Sequence, residues 1–183
     1  MKKIISSYLL FVSLAYGYEY NDVLLKAQAS IFPKIMLLDK KIEDKLVNGQ
    51  IVYTVAYDKN DHHTALEIRK YIDMNHKGQF DEYSYRIDLV EFDNITTQTE
   101  ASAIYVLNSD KNIKKIADVA KEKGIVSFSY DIENLKKGLL FSLMLEKSTV
   151  LYLNKENLHT KKIDFIDSLL QMVKFFKTDS DNS

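Results

Sequence analysis

The chain has no cysteine and no tryptophan, a single proline, five glycines and only two arginines among its 183 residues. Without cysteine there are no disulfides, no thiol nucleophile, no thiolate-bound zinc and no lipid-modified N-terminal cysteine. The few glycines are scattered, and none is arranged as a phosphate-cradling loop. Arg69 and Arg86 stand against 23 lysines. The bidentate guanidinium fork that reads phosphates and base edges is therefore scarce. A formal net charge of -1 also argues against general nucleic-acid binding, which needs a clustered basic surface. What is present is ordinary for a globular chain: 46% hydrophobic and 28% charged residues. The length suits one domain that can bury about two-thirds of its unfolded surface.

Residues 1–17 carry the pattern of a secretory signal peptide. Lys2 and Lys3 precede an apolar stretch from Ile4 to Leu14, broken only by Ser6, Ser7 and Ser13. Ala15-Tyr16-Gly17 then puts small residues at the minus-three and minus-one positions of a cleavage site. As a membrane anchor the stretch is too short, since a spanning helix needs about 20 apolar residues. Removing 17 of the 183 residues, two of them lysines, leaves 166 residues and a net charge of -3. The expectation is an exported, soluble protein of the periplasm. No later apolar run is long enough to span a bilayer. Residues 18–177 read as one domain, and residues 178–183 as a polar tail.

Periodicity predicts the order of elements. Leu24, Ala27, Ile31, Ile35 and Leu38 recur at helical spacing, with Asn21 or Asp22 as cap. Pro33 should kink or interrupt that helix near Phe32. Asn48-Gly49 marks a turn. Ile51 to Tyr57 reads as a strand. A helix capped by Asn60 or Asp61 follows, with a stripe of Ala65, Ile68 and Ile72 that Gly78 ends. Tyr83 to Phe92 alternates as a half-exposed strand, and Ala101 to Leu107 reads as a strand buried on both faces. Asn108-Ser109-Asp110 should cap a helix carrying Ile113, Ile116, Ala117 and Ala120, which Gly124 ends. Ile125 to Tyr130 is the next strand. Leu139 to Glu146 and Thr149 to Asn154 form a hairpin. A last helical region runs from Lys155, with Ile163, Ile166, Leu170 and Val173 on its apolar stripe. Strands joined by crossover helices imply an α/β fold: a mostly parallel sheet flanked by helices on both faces, with a C-terminal antiparallel hairpin and a terminal helix.

No catalytic motif emerges. Ser127 and Ser129 alternate along a strand, but no serine sits in a strained Gly-x-Ser-x-Gly turn. His62 and His63 are adjacent and project about 100° apart on a helix, so they cannot chelate from one face. His76 and His159 are distant in sequence, and no metal or other cofactor is expected. A phosphate-receiver reading needs clustered carboxylates and a strand-end lysine. Asp58 and Asp131 follow strands, but Asn108 follows Leu107 and no such lysine is present. Open α/β sheets bind ligands beyond the carboxyl ends of their strands. Those ends make Asp58, Asn60, Asn108, Ser109, Ser129 and Tyr130 the candidate rim for a ligand or partner. Plain helix capping is the competing explanation.

The second half carries a resemblance. Ala103-Ile104-Tyr105-Val106-Leu107, a helix, and then Gly124-Ile125-Val126-Ser127-Phe128-Ser129-Tyr130-Asp131 resemble the central strands of the YfiR-like periplasmic proteins. After Gly138 that family continues with two strands and an amphipathic helix. Here these pieces read Leu140 to Glu146, Thr149 to Asn154 and Leu158 to Val173, and Val23 to Leu38 fits the opening helix. The resemblance covers about Tyr20 to Phe176. It implies a compact, exported, non-enzymatic regulator. In the best-known case such a protein binds the periplasmic sensor domain of an inner-membrane diguanylate cyclase and holds it inactive. Membrane histidine kinases are also associated with the family. Many relatives carry a cysteine just before the strand matching Ala103–Leu107. This chain has Ala101 and Ser102 there, so disulfide-based redox control cannot operate. The alternative expectation is a periplasmic protein that binds a small molecule and presents it to a transporter or sensor. Self-association, if it occurs, is expected as a two-fold homodimer.

Overall fold

The computed structural model describes residues 18–158 and 162–177. The expected signal peptide, His159 and the polar tail lie outside the described residues. Eight strands form one mixed, mostly parallel sheet in the order β2-β3-β1-β4-β5-β6-β7-β8. The central strands are β1 (Ile51–Tyr57), β3 (Tyr83–Glu91), β4 (Ala103–Val106), β5 (Val126–Ser129) and β6 (Phe141–Leu145), all parallel. Strand β7 (Thr149–Leu153) runs antiparallel to β6, which is the expected hairpin. Two short edges were not expected. Strand β2 (Gln79–Phe80) pairs antiparallel with β3, and β8 (Lys174–Phe175) pairs parallel with β7.

The helices divide between the two faces. Helices α1 (Asp22–Met36) and α2 (His62–His76) pack on one face with Tyr53, Val55, Tyr105, Phe128 and Phe141. There Phe32 stacks on Phe128 at 4.5 Å, and Phe128, Phe141 and Phe165 continue the aromatic row. Helix α3 (Ile113–Lys123) covers Ile104 and Val106 on the other face. Its stripe is the expected one, with Ile113, Ile116, Ala117 and Ala120 all buried. Burying such side chains contributes about 1.5–3 kcal/mol for each large aliphatic. Because α2 leads from β1 towards β3 while α3 leads from β4 towards β5, the sheet reverses its winding between β1 and β4.

Helix α1 departs from expectation twice. It runs unbroken through Pro33. Proline lacks an N–H, so the carbonyl of Ala29 loses its helical donor. The Nε2 of His76 lies 3.3 Å from that oxygen and must donate to it, since a carbonyl only accepts. The stripe is also rotated. Leu25, Ala29, Phe32 and Met36 are buried rather than Leu24, Ala27, Ile31 and Leu38, and this turns Gln28 into the core.

Burial holds the His76 imidazole below its ordinary value. The unfolded chain therefore takes up a proton more readily than the folded one. Above pH about 7 this residue has no effect on stability. Stability should fall as the pH drops through about 6.5 towards the lower folded value. Thermal melts across pH 5–8 should show this slope reduced in His76→Gln, whose amide can still donate to Ala29.

The C-terminal region is the main correction. In place of a long helix there is a helical turn at Lys155–Leu158, an extended stretch, and the six-residue helix α4 (Asp167–Met172) before β8. The extended stretch crosses the α1–β1 loop, where Asp39 forms a β-bridge with Phe165. The Asp39 carboxylate accepts from the backbone N–H groups of Lys41 and Asp164 at 3.1 and 2.9 Å. It also pairs with Lys45, and both side chains are buried. Burial lowers the Lys45 ammonium, opposed by the Asp39 carboxylate.

Candidate functional site

The reversal between β1 and β4 parts the two chains as they leave the sheet. The segments beyond these strands, Asp58–Asp61 and Ser109–Asn112, line a cavity of about 340 Å³ together with Tyr18. Asp58, Asp61 and Asp110 supply carboxylates, and Lys59 and Lys111 supply ammonium groups. Both segments lead into helices, α2 and α3, whose first N–H groups lack intrahelical partners. The cavity therefore offers groups of both signs within one polar pocket.

Asp61 stands at the cap position of α2, yet its side chain does not cap the helix. It accepts instead from the Tyr20 hydroxyl at 2.9 Å. That same hydroxyl accepts from the backbone N–H of Asn108 at 3.1 Å. One phenol thus bridges the end of β1 to the end of β4. Its ring meets the Tyr130 ring edge-on, with centroids 4.7 Å apart. The Tyr130 hydroxyl accepts from the Asn21 N–H at 2.8 Å. Burial raises the Asp61 carboxyl above its ordinary range, partly offset by the Tyr20 hydrogen bond. Burial and the neighbouring Asp61 carboxylate raise the Tyr20 phenol well above its usual value. Burial and then the adjacent Asp110 carboxylate do the same for Tyr18. The phenols are thus held neutral as donors.

The six expected rim residues divide. Asp58, Asn60 and Ser109 line the cavity. Asn108 borders it through its N–H, while its side chain accepts from Asn134 at 3.1 Å. Ser129 is buried away from it; its hydroxyl donates to the Asp131 carbonyl at 2.7 Å and accepts from Asn134. Tyr130 contributes its ring and hydroxyl to Tyr20 and Asn21 rather than to the cavity wall. The Ser109 hydroxyl accepts from the N–H groups of Lys111 and Asn112, so α3 begins later than its expected cap. Tyr18, Tyr20, Asp61 and Asp110 are the further residues of the site.

Beneath the rim, Gln28 fastens α1 to the sheet. Its amide nitrogen donates to the carbonyls of Tyr130 and Leu143 at 3.0 and 3.2 Å. Its amide oxygen accepts from the Tyr105 hydroxyl at 2.6 Å. Elsewhere His62 lies against Tyr57. Among the described residues no three His, Asp or Glu side chains converge as a metal-binding group, and no helix is long and apolar enough to cross a membrane.

No protein-family model matches the chain, and no curated protein matches it in sequence. Solved structures do. The chain is similar to a conserved domain protein from Vibrio cholerae O1 biovar El Tor, at 12% identity and a TM-score of 0.56, over 84% of this chain and 60% of that one. It is also similar to an ABC domain from Streptococcus pneumoniae determined in complex with L-Trp, at 11% identity and a TM-score of 0.53, over 82% of this chain and 61% of that one. The chain thus spans about three-fifths of the length of each. At such identities the likeness establishes the α/β fold and no more.

Proposed function

We propose that this domain is a non-enzymatic binding module that takes a small molecule carrying an amine and a carboxylate at the ends of β1 and β4. The carrying observation is the mixed-charge cavity where the sheet reverses, the place where open α/β sheets bind ligands. Asp58 and Asp110 would receive the amine; Lys59 and Lys111 would receive the carboxylate. The L-Trp complex of the Streptococcus structure supports this ligand class. The pattern of residues 1–17 supports a periplasmic location, where such a module could present its ligand to a transporter or sensor.

L-tryptophan and tyramine are suitable first probes. Titration monitored by backbone amide NMR should move the signals of residues 58–62 and 108–113 saturably. Asp58→Asn combined with Asp110→Asn should weaken tyramine binding about tenfold or more, as expected for the loss of a charged hydrogen-bonding partner. Shifts scattered over the surface, or none, would reject the site.

A second reading is a regulator of a membrane diguanylate cyclase or histidine kinase, supported by the YfiR-like resemblance. The end of α4 and the β8 edge add exposed apolar side chains, Met172 at 68% and Phe175 at 43%. The two readings are compatible if ligand occupancy sets affinity for the sensor, which takes about 1–3 kcal/mol of coupling. Unchanged output of the host's membrane diguanylate cyclases and histidine kinases after deletion of this gene would rule the second reading out.

A further inference from the structure

The crevice between β1 and β4 is already partly filled by the chain itself. Residues 18–21 cross the rim, and their attachments fall on polar groups at the inner end of the crevice, behind the charged side chains assigned to the ligand above. The Tyr20 hydroxyl occupies the Asp61 carboxylate and the Asn108 N–H together. Its ring covers Tyr130, whose hydroxyl is taken by the Asn21 N–H. Tyr18 forms part of the wall of the remaining cavity. The Tyr20 ring is not held within the close-packed aromatic row of Phe32, Phe128 and Phe141. Its aromatic neighbours are Tyr18 and Tyr130, and Tyr18 is itself 36% exposed.

We infer that residues 18–21 are an autoinhibitory strap, with Tyr20 acting as a tethered competitor for the inner half of the binding crevice. This rests on the small-molecule reading above. A ligand bearing an aromatic ring with a hydrogen-bond donor can replace the Tyr20 ring on Tyr130 and its hydroxyl on Asp61. Entry of that ligand lifts the strap. Because the strap leads directly into α1 through the Asn21 cap, occupancy changes the start of that helix. Binding at the rim is thereby coupled to the first segment of the domain.

Two measurements test this with the intact protein. The first is hydrogen exchange at the Asn21 amide, which bonds Tyr130, compared with core amides such as Tyr105. The strap predicts exchange by local opening, well ahead of global unfolding, and about tenfold faster in Tyr20→Phe, which keeps the ring and loses both bridging hydrogen bonds. The second is titration of tyramine into wild type, Tyr20→Phe and Tyr20→Ala. Both variants should bind tyramine about tenfold more tightly than wild type, because the competitor is weakened or removed. Tyramine should also speed Asn21 exchange in the wild type. Equal or weaker binding by the variants, with clear binding by wild type, would leave the site standing and overturn the strap. An Asn21 amide that exchanges only with the core would overturn it too. Absence of tyramine binding in all three proteins, with Asn21 opening locally, would reject the site reading and the strap's role as competitor with it.

Discussion

Asp39→Ala should destabilise the domain by about 3–5 kcal/mol, the cost of leaving a buried charge without its partner. Removing this carboxylate strands Lys45, whose side chain is 6% exposed, and takes the acceptor from the N–H groups of Lys41 and Asp164. The size of the effect comes from Lys45, since the two N–H groups are a smaller loss. Removing both charges should therefore recover much of the stability. Asp39→Ala with Lys45→Met should lie well above Asp39→Ala alone, because an apolar replacement of a buried pair is often near neutral. Urea unfolding of the two variants measures this directly. If the single and double variants unfold at the same urea concentration, Lys45 is not the source of the penalty.

The second large effect is expected at Gln28. Gln28→Met keeps a side chain of similar reach but leaves the Tyr130 and Leu143 carbonyls and the Tyr105 hydroxyl without their partner. Each unmade buried hydrogen bond costs about 1–3 kcal/mol, so the loss of three should cost at least about 3 kcal/mol. Tyr105→Phe removes one member and should cost about 1–2 kcal/mol. These residues form one network, so the double variant should fall short of the sum. Additivity in denaturant melts would show that the two act independently.

The central fold was legible because its signals are local. Ile51–Tyr57, apolar or aromatic except for Thr54, and Ala103–Val106 become inner strands buried along their length. Helix α3 shows its stripe at helical spacing and ends at Gly124, in the left-handed conformation with φ of 70°. The errors arose where a distant group decided the outcome. Pro33 carries a strong local signal for a break, but His76, far along the chain, supplies the missing donor. Ile163, Ile166, Leu170 and Val173 satisfy helical spacing. Ile163 and Phe165 are nevertheless buried as alternating residues of an extended segment, because Asp39 takes the Asp164 N–H. Strands β2 and β8 have two residues each, too few to show any periodicity.

The place of the candidate site was legible for a topological reason. Polar residues after successive parallel strands must cluster along one edge of the sheet, and a reversal of winding opens a crevice there. The occupant of that crevice was not legible. Nothing in Tyr18-Glu19-Tyr20 before a helix cap marks it as reaching two strand ends. Asp61 looked like a helix cap, and only the fold reveals that its carboxylate serves Tyr20 instead.

The Asp39 clasp also sets a timetable for folding. Its carboxylate meets the Asp164 N–H across 125 positions of chain, and β8 reaches β7 only with Lys174 and Phe175. Long-range contacts of this kind form late, because closing the intervening loop costs entropy before any contact compensates it. On the ribosome, Asp39 and Lys45 emerge long before Asp164 exists. The growing chain can pair Lys45 with Asp39 but lacks the Asp164 N–H that completes the arrangement around that carboxylate. The domain reaches its closed state after its last strand is made, and until then the nascent chain lacks the clasp that would lock it shut.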